Sequence, residues 1–210
     1  MSKNEKGFDR REFLKGTAAV AGATAVGTLA PLGAALAQTG KIKVGLMLPY
    51  TGTFAALGVA LTNGFKLAVE ERGGKLGGRE IEYIVVDDES NPAKAPENAN
   101  KLIQRDKVDV IIGTVHSGVA MGMAKVIREA GTLWINPNAG AGAVTGALCA
   151  PNIFRTSFSN WQTTHALGKV LKAKGHKNAV FITWKYAAGE EMMQGFKEGF
   201  EKEGGKLVKE

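Results

Sequence analysis

The sequence predicts an α/β fold built on parallel sheets flanked by helices. Three observations carry this. Short apolar, β-rich runs alternate with segments of helical spacing. Twenty-eight glycines against six prolines, with no Gly-X-Y period, suit many tight strand-to-helix turns. A 44% hydrophobic and 22% charged composition over 210 residues is that of an ordinary globular chain.

Ile42 to Leu48 reads as the first strand, ended by Pro49. Leu57, Leu61, Phe65 and Ala68/Val69 then recur at helical intervals and predict the inner face of a helix stopped by Gly73-Gly74. The second strand, Ile81 to Val86, runs into Asp87-Asp88-Glu89. A helix follows to about Arg105, with Ala95, Ala99, Leu102 and Ile103 inward. Its start stays open: Asn91-Pro92 suits a cap and first-turn proline, but Pro96 would then sit a turn inside and remove a hydrogen bond. Val108 to Ile112 gives the third strand, and Val119, Met123, Val126/Ile127 and Ala130 mark the next helix. Leu133-Trp134-Ile135 is the fourth strand, followed by a loop rich in glycine and asparagine from Asn136 to Gly142. Beyond it come a short strand from Ile153 to Thr156, a helix with Leu167, Val170 and Leu171, and a strand from Ala179 to Ile182. A helix with Met192, Phe196 and Phe200 and a strand opening at Lys206-Leu207-Val208 complete the pattern. A terminal strand lacking its crossover helix predicts the first part of a longer protein.

The single cysteine, Cys149, cannot form an intramolecular disulfide, and three scattered histidines cannot complete a thiolate-type zinc site. The formal charge of +7 invites a nucleic-acid reading, but residues 1–37 hold five basic and three acidic residues, so +5 belongs to the rest. Those first residues read as an address. Arg10-Arg11 within Asp9 to Lys15 forms a twin-arginine pattern, followed by an uncharged, mildly apolar stretch from Gly16 to Ala37 that ends in Ala35-Leu36-Ala37. Thr17, Thr24 and Pro31, and the small-residue end in place of a basic stop-transfer cluster, favour a cleaved signal peptide over an anchor. The mature chain is expected to start at Gln38 in the periplasm.

In an open parallel sheet, ligands collect beyond the carboxyl ends of the strands. Tyr50 to Ala56, His116-Ser117 and Asn138 to Gly142 occupy that edge. A hydroxyl at a helix N-terminus, such as Ser117, can hold a carboxylate together with neighbouring N–H groups, or it can simply cap its helix. A nucleophilic pairing of Ser117 with His116 lacks support, since adjacent side chains point apart and no Gly-x-Ser-x-Gly elbow surrounds them. Asp87-Asp88-Glu89 reads as a solvated turn in preference to a metal cluster. The Gly140 to Gly146 segment lacks dinucleotide-loop spacing, and no Gly-x4-Gly-Lys-Ser/Thr loop is present, so neither a nucleotide cofactor nor ATP hydrolysis is expected. Lys169, Lys172, Lys174, His176 and Lys177 read as a solvated helix end; nothing interleaves them with aromatics for stacking on bases. Phe54, Trp161 and Trp184 stand near strand-end loops, whereas Phe65 and Phe196 are expected in the core. An aromatic wall contributes roughly 1.5–3 kcal/mol and a charge-assisted carboxylate contact about 1.5–3 kcal/mol. Together they fall short of the roughly 8 kcal/mol of micromolar binding, so a second surface has to close over the ligand.

The residues resemble the periplasmic substrate-binding proteins of ABC transporters, of the branched-chain amino-acid (leucine-binding) type with the type I periplasmic-binding fold. The features that carry it are Ile42-Lys43-Val44-Gly45 leading to Tyr50-Thr51-Gly52, Asn63-Gly64, Asp87 to Pro92, Ile112-Gly113, Ile135 to Ala139, and Phe154-Arg155-Thr156. The resemblance implies two α/β lobes that trap a ligand between them: a signal peptide over 1–37, a first lobe over 38–154 and the start of a second, truncated lobe over 155–210. It implies a carboxylate held by Ser117 and by Asn138, Ala139 and Gly140, with Thr53 and Phe54 over the ligand and Trp161 and Tyr186 to Ala188 facing from the other side. Several amino-acid binders carry an aromatic ring where Ala188 aligns, and some join the positions of Ser90 and His116 by a disulfide. Loss of that ring, with His116, Trp161 and Phe54 available, points towards a flatter organic acid. The run from Phe154 to Trp161 looks like relatives assigned to aromatic carboxylates. The implied role is a non-enzymatic receptor, without cofactor, that delivers a small carboxylate to a membrane permease with a separate ATPase. An extracytoplasmic sensor of the same fold is the alternative.

Overall fold

The structure is a computed structural model and describes residues 40–209; the twin-arginine segment and the Ala35-Leu36-Ala37 motif lie outside the described residues. Strand β1 (Ile42–Leu48) is central, because β3 (Arg79–Asp87) and β4 (Val110–Ile112) pair with it in parallel on its two sides. Val44, Leu46, Met47 and Leu48 are consequently buried completely, as a strand covered on both faces requires. A two-residue edge strand that the sequence pattern did not announce, β2 (Lys75–Leu76), pairs antiparallel with β3. With β5 (Leu133–Asn136) and β6 (Ile153–Arg155), the sheet has the order β2-β3-β1-β4-β5-β6. The connection out of β1 goes to one side and the return to β4 goes to the other. Such a reversal opens a crevice at the carboxyl ends of β1 and β4.

Helix α1 (Ala55–Glu70) follows β1, but its inner face is Gly58, Thr62 and Val69. Leu57, expected inside, is 44% exposed. The cause is a close approach: a Cβ on Gly58 would lie 1.8 Å from the Pro49 carbonyl oxygen, and the Tyr50 hydroxyl bonds the Thr62 hydroxyl at 2.8 Å. Helix α2 (Ala95–Asn100) starts late enough to put Pro96 in its first turn, where no hydrogen bond is lost, and passes into a wider turn over Lys101–Arg105. Ala95, Ala99 and Leu102 are buried as expected. Helix α3 (Ser117–Ala130) buries Val119, Met123 and Ile127 and ends at Gly131 in the left-handed region. Trp134 is fully buried, and its indole N–H donates to the Gly113 carbonyl at 2.6 Å. A short helix, α4 (Gly142–Thr145), lies between β5 and β6.

Beyond β6 come α5 (Asn160–Ala173), β7 (Asn178–Val180), α6 (Ala187–Glu201) and β8 (Lys206–Lys209), with β7 and β8 forming a parallel pair. The apolar residues expected inside α5, Leu167 and Val170, are 45% and 49% exposed. Small residues take the contact instead. A Cβ on Gly199 would lie 2.2 Å from the His165 carbonyl oxygen, and one on Gly195 would lie 2.6 Å from that of Trp161. The two helices therefore pack backbone to backbone, which only glycine permits. Among the described residues no helix is long and apolar enough to cross a membrane.

Candidate functional site

Near the β1/β4 switch lie a ring-lined cavity, termed the mouth, and, at the carboxyl ends of β4 and β5, a buried polar cluster, termed the floor. At the mouth, Phe54 precedes α1 and His116 precedes α3, and their rings are 6.1 Å apart. Tyr186, the residue before α6, brings its ring to 4.9 Å from that of His116, and Trp184 stands 6.4 Å from Tyr186. Thr53, Phe54, Ser90, His116 and Trp184 line a cavity of about 300 Å³. A neighbouring one of about 400 Å³ continues past Tyr186 and Met192. The Ser90 hydroxyl is buried without a hydrogen-bond partner, and an unmatched donor beside a cavity is available to a ligand.

His116 is the cap of α3, a role the sequence left open for Ser117. Its Nδ1 accepts from the Gly118 N–H at 3.0 Å and from the Val119 N–H at 3.3 Å. An imidazole that accepts at Nδ1 is neutral and carries its proton on Nε2. Burial holds its pKa below the ordinary histidine value, against a smaller opposing pull from Asp88.

The acids at the end of β3 are only in part the solvated turn expected: Glu89 is an exposed turn residue, but Asp88 is not solvated. Asp88 is 1% exposed and accepts from the Thr114 hydroxyl and, at 2.8 Å, from the Ser90 N–H. Burial raises its pKa, and the hydrogen bonds only partly offset that. Burial also pushes the Asp87 carboxyl up, but donors from Tyr50, Thr51 and Glu89 outweigh it and leave the group below its ordinary value. The two carboxylates tie the loops after β1, β3 and β4 together and so fix the mouth.

The floor gathers Ser117, Asn138, Ala139 and Gly140. The side chain of Asn136 staples the loop, donating to the Ala139 carbonyl at 2.7 Å and accepting from the Asn138 N–H at 3.2 Å. The Ala139 N–H donates to the Thr114 carbonyl at 3.0 Å. Ser117 is only 2% exposed, and its hydroxyl accepts from the Asn160 amide at 3.2 Å. Asn160 also packs on Gly140, where a Cβ would lie 2.3 Å from its Oδ1, and donates its own N–H to the Gly140 carbonyl at 2.9 Å. The same side-chain amide donates to Glu191 Oε2 at 2.9 Å.

Asn160 and Glu191 were missed as site residues. Asn160 belongs to the Phe154 to Trp161 run that the sequence singled out; Glu191 carried no signal, being one acid on a polar helix face. Trp161 does not join the mouth. Its indole donates to Glu198 at 2.7 Å and stacks on His165 at 4.1 Å, and Trp184 stands at the cavity instead. Ala188 is buried. Ser117 and His116 are each bonded elsewhere and form no dyad. Among the described residues, no group of three or more His, Cys, Asp or Glu could hold a metal ion.

Residues 41–210 match the family described as periplasmic binding protein, and residues 7–27 match the twin-arginine translocation pathway signal. The Leu/Ile/Val-binding protein homolog 6 of Brucella abortus (strain 2308) is 27% identical over 178 residues, which is 84% of this chain and 45% of that protein. An ABC-transporter solute-binding protein from R. palustris, solved in complex with benzoate, is 58% identical with a TM-score of 0.79; the match covers 81% of this chain and 47% of that one. A solute-binding protein from Rhodopseudomonas palustris BisB5, solved with 3,4-dihydroxybenzoic acid, is 34% identical with a TM-score of 0.75, covering 80% of this chain and 46% of that one. The chain thus spans just under half the length of each.

Proposed function

This chain belongs to the periplasmic binding protein family, and from that membership we propose that it serves an ABC transporter as the receptor for a small carboxylate, preferring an aromatic acid to leucine. It is exported to the periplasm by the twin-arginine route. The observation that carries the reading is the pairing of a buried hydrogen-bonding floor with a ring-lined cavity at one switch point of the sheet. The floor suits a carboxylate, whose oxygens accept from Ser117, from loop N–H groups and from an amide. Phe54, His116, Tyr186 and Trp184 offer flat apolar surface at ring-stacking separations. The benzoate and dihydroxybenzoate held by the two R. palustris proteins supports the same ligand class here.

The reading divides the chain into a signal peptide over 1–37, a first lobe over 38–154 and the beginning of a second lobe over 155–210. The two lobes close on the ligand, and the closed form is what a membrane permease with its separate ATPase recognises. The protein is a receptor and not an enzyme: it holds the carboxylate without transforming it. Titration calorimetry of the full chain with benzoate, 4-hydroxybenzoate and leucine tests this. Binding of the benzoates at least about tenfold more tightly than leucine, a difference of about 1.4 kcal/mol, is expected. Tighter leucine binding would remove the aromatic preference, and hydrolysis of a benzoate ester would remove the receptor assignment.

A further inference from the structure

Glu191 stands in the second turn of α6, and its carboxylate reaches the floor. Oε1 and Oε2 accept from the Gly142 N–H at 2.9 and 3.0 Å, and Oε2 accepts from the Asn160 amide at 2.9 Å. These are neutral amide donors, the kind that receives a ligand's carboxylate in the same place. The Asn160 amide is the shared element. Gly140 fixes its Oδ1 side by close contact, and its Nδ2 faces both the Ser117 hydroxyl and Glu191. Like charges cannot both take up these donors, because a second carboxylate a few ångströms away disfavours the first.

We propose that Glu191 is a built-in competitor: its carboxylate and a ligand's carboxylate are alternative occupants of the donors around Asn160 and Gly142. Glu191 has the means to give way. Its backbone is fixed by the glycine-lined contact between α5 and α6, while the side chain turns about its own bonds, so release needs no movement of the helix. Occupation by Glu191 multiplies the apparent affinity by the fraction of molecules in which the donors are free, and so lowers it. The residue therefore sets the ligand concentration at which the receptor fills. This inference rests on the carboxylate-receptor reading and adds to it the group that tunes the same site.

Calorimetric titration of the full chain with benzoate and with leucine, for the wild type, Glu191→Gln and Glu191→Ala, tests it. Both variants are expected to bind benzoate about fivefold or more tightly than the wild type. Glu191→Gln keeps the shape and one acceptor oxygen, and an unchanged thermal unfolding transition verifies its fold. A second readout needs no ligand: hydrogen exchange at the Gly142 amide is expected to quicken about tenfold in Glu191→Ala. Equal or weaker benzoate binding by both variants overturns the proposal and makes Glu191 a clasp that aids closure. Weaker leucine binding with benzoate unchanged overturns it by making Glu191 the reader of an ammonium group, and so does an unaltered Gly142 exchange rate. If the wild type binds benzoate and neither variant gains, only this inference falls. If no form binds either acid, the receptor reading falls with it.

Discussion

The floor and the mouth of the crevice are built in opposite ways. Ser117, Ala139, Gly140 and Asn160 are buried, and hydrogen bonds from neighbouring loops fix them. Trp184, by contrast, is 67% exposed, and Phe54 and Tyr186 stand half-buried at a cavity wall. A fixed polar floor gives most of its interaction to any carboxylate of the right size. An exposed aromatic wall rewards only a ligand whose remaining surface is flat enough to lie on it. On the carboxylate-receptor proposal, the floor would set how tightly an acid binds and the mouth which acid.

The largest effect expected from breaking the floor is that of Gly140→Ala. The added methyl would meet the Asn160 oxygen at 2.3 Å and its backbone nitrogen at 2.9 Å, so Asn160 has to leave. Overpacking of this kind costs about 1–3 kcal/mol of stability, measurable by urea unfolding, and benzoate and leucine should both lose roughly a hundredfold in affinity. Retention of either affinity would show that the floor does not receive the carboxylate.

Ser117→Ala is the milder break. It removes one hydroxyl and leaves the Asn160 amide its bond to Glu191. A tenfold loss, about 1.4 kcal/mol, is expected for both acids alike in calorimetry. A loss confined to benzoate would assign Ser117 to the mouth.

At the mouth the losses should be smaller and unequal. Phe54→Ala and Trp184→Ala are each expected to weaken benzoate by about three- to tenfold, within the roughly 0.5–1.5 kcal/mol of an aromatic pair, and leucine by less. Trp161→Ala should change neither, since its ring is held by Glu198 and His165. A larger benzoate loss in Trp161→Ala than in Trp184→Ala would restore Trp161 to the ligand wall.

The same contrast explains what the sequence disclosed. Strands β1 and β4 were legible because both faces of the sheet are covered there, which leaves nearly continuous apolar runs. The helix faces were less so. Periodicity assigned Leu57, Leu167 and Val170 inward, yet the packed faces are made of Gly58, Gly168, Gly195 and Gly199, which leave no hydrophobic mark in a sequence. At the site, the strand-end loops carrying Phe54, His116 and Ser117 could be placed from the alternation of elements. The bond from Asn160 to Ser117 spans 43 residues, and that from Glu191 to Gly142 spans 49. Nothing local in the chain announces such pairs; only the folding of α5 and α6 over the sheet brings them together.

A small effect, on stability in place of affinity, joins mouth and fold through His116. Its neutral ring caps α3 by accepting at Nδ1, and protonation there would replace the acceptor with a donor and abolish the cap. Because burial lowers its pKa in the folded state from 6.5, the unfolded chain binds the proton more readily. Stability from this group is therefore complete above about pH 6.5 and is lost as the pH falls below it. Asp88 works in the opposite sense: its raised pKa makes the folded form the better proton acceptor, so its contribution declines as the pH rises above 3.8. Comparison with His116→Asn separates the two, since asparagine caps a helix at any pH and leaves the Asp88 carboxyl in place. Thermal unfolding of the wild type should move downward between pH 7.5 and about 5.5 by a few degrees more than that of the variant. Equal shifts in the two proteins would mean that His116 does not change its protonation on unfolding, and the cap would have to be assigned to another group.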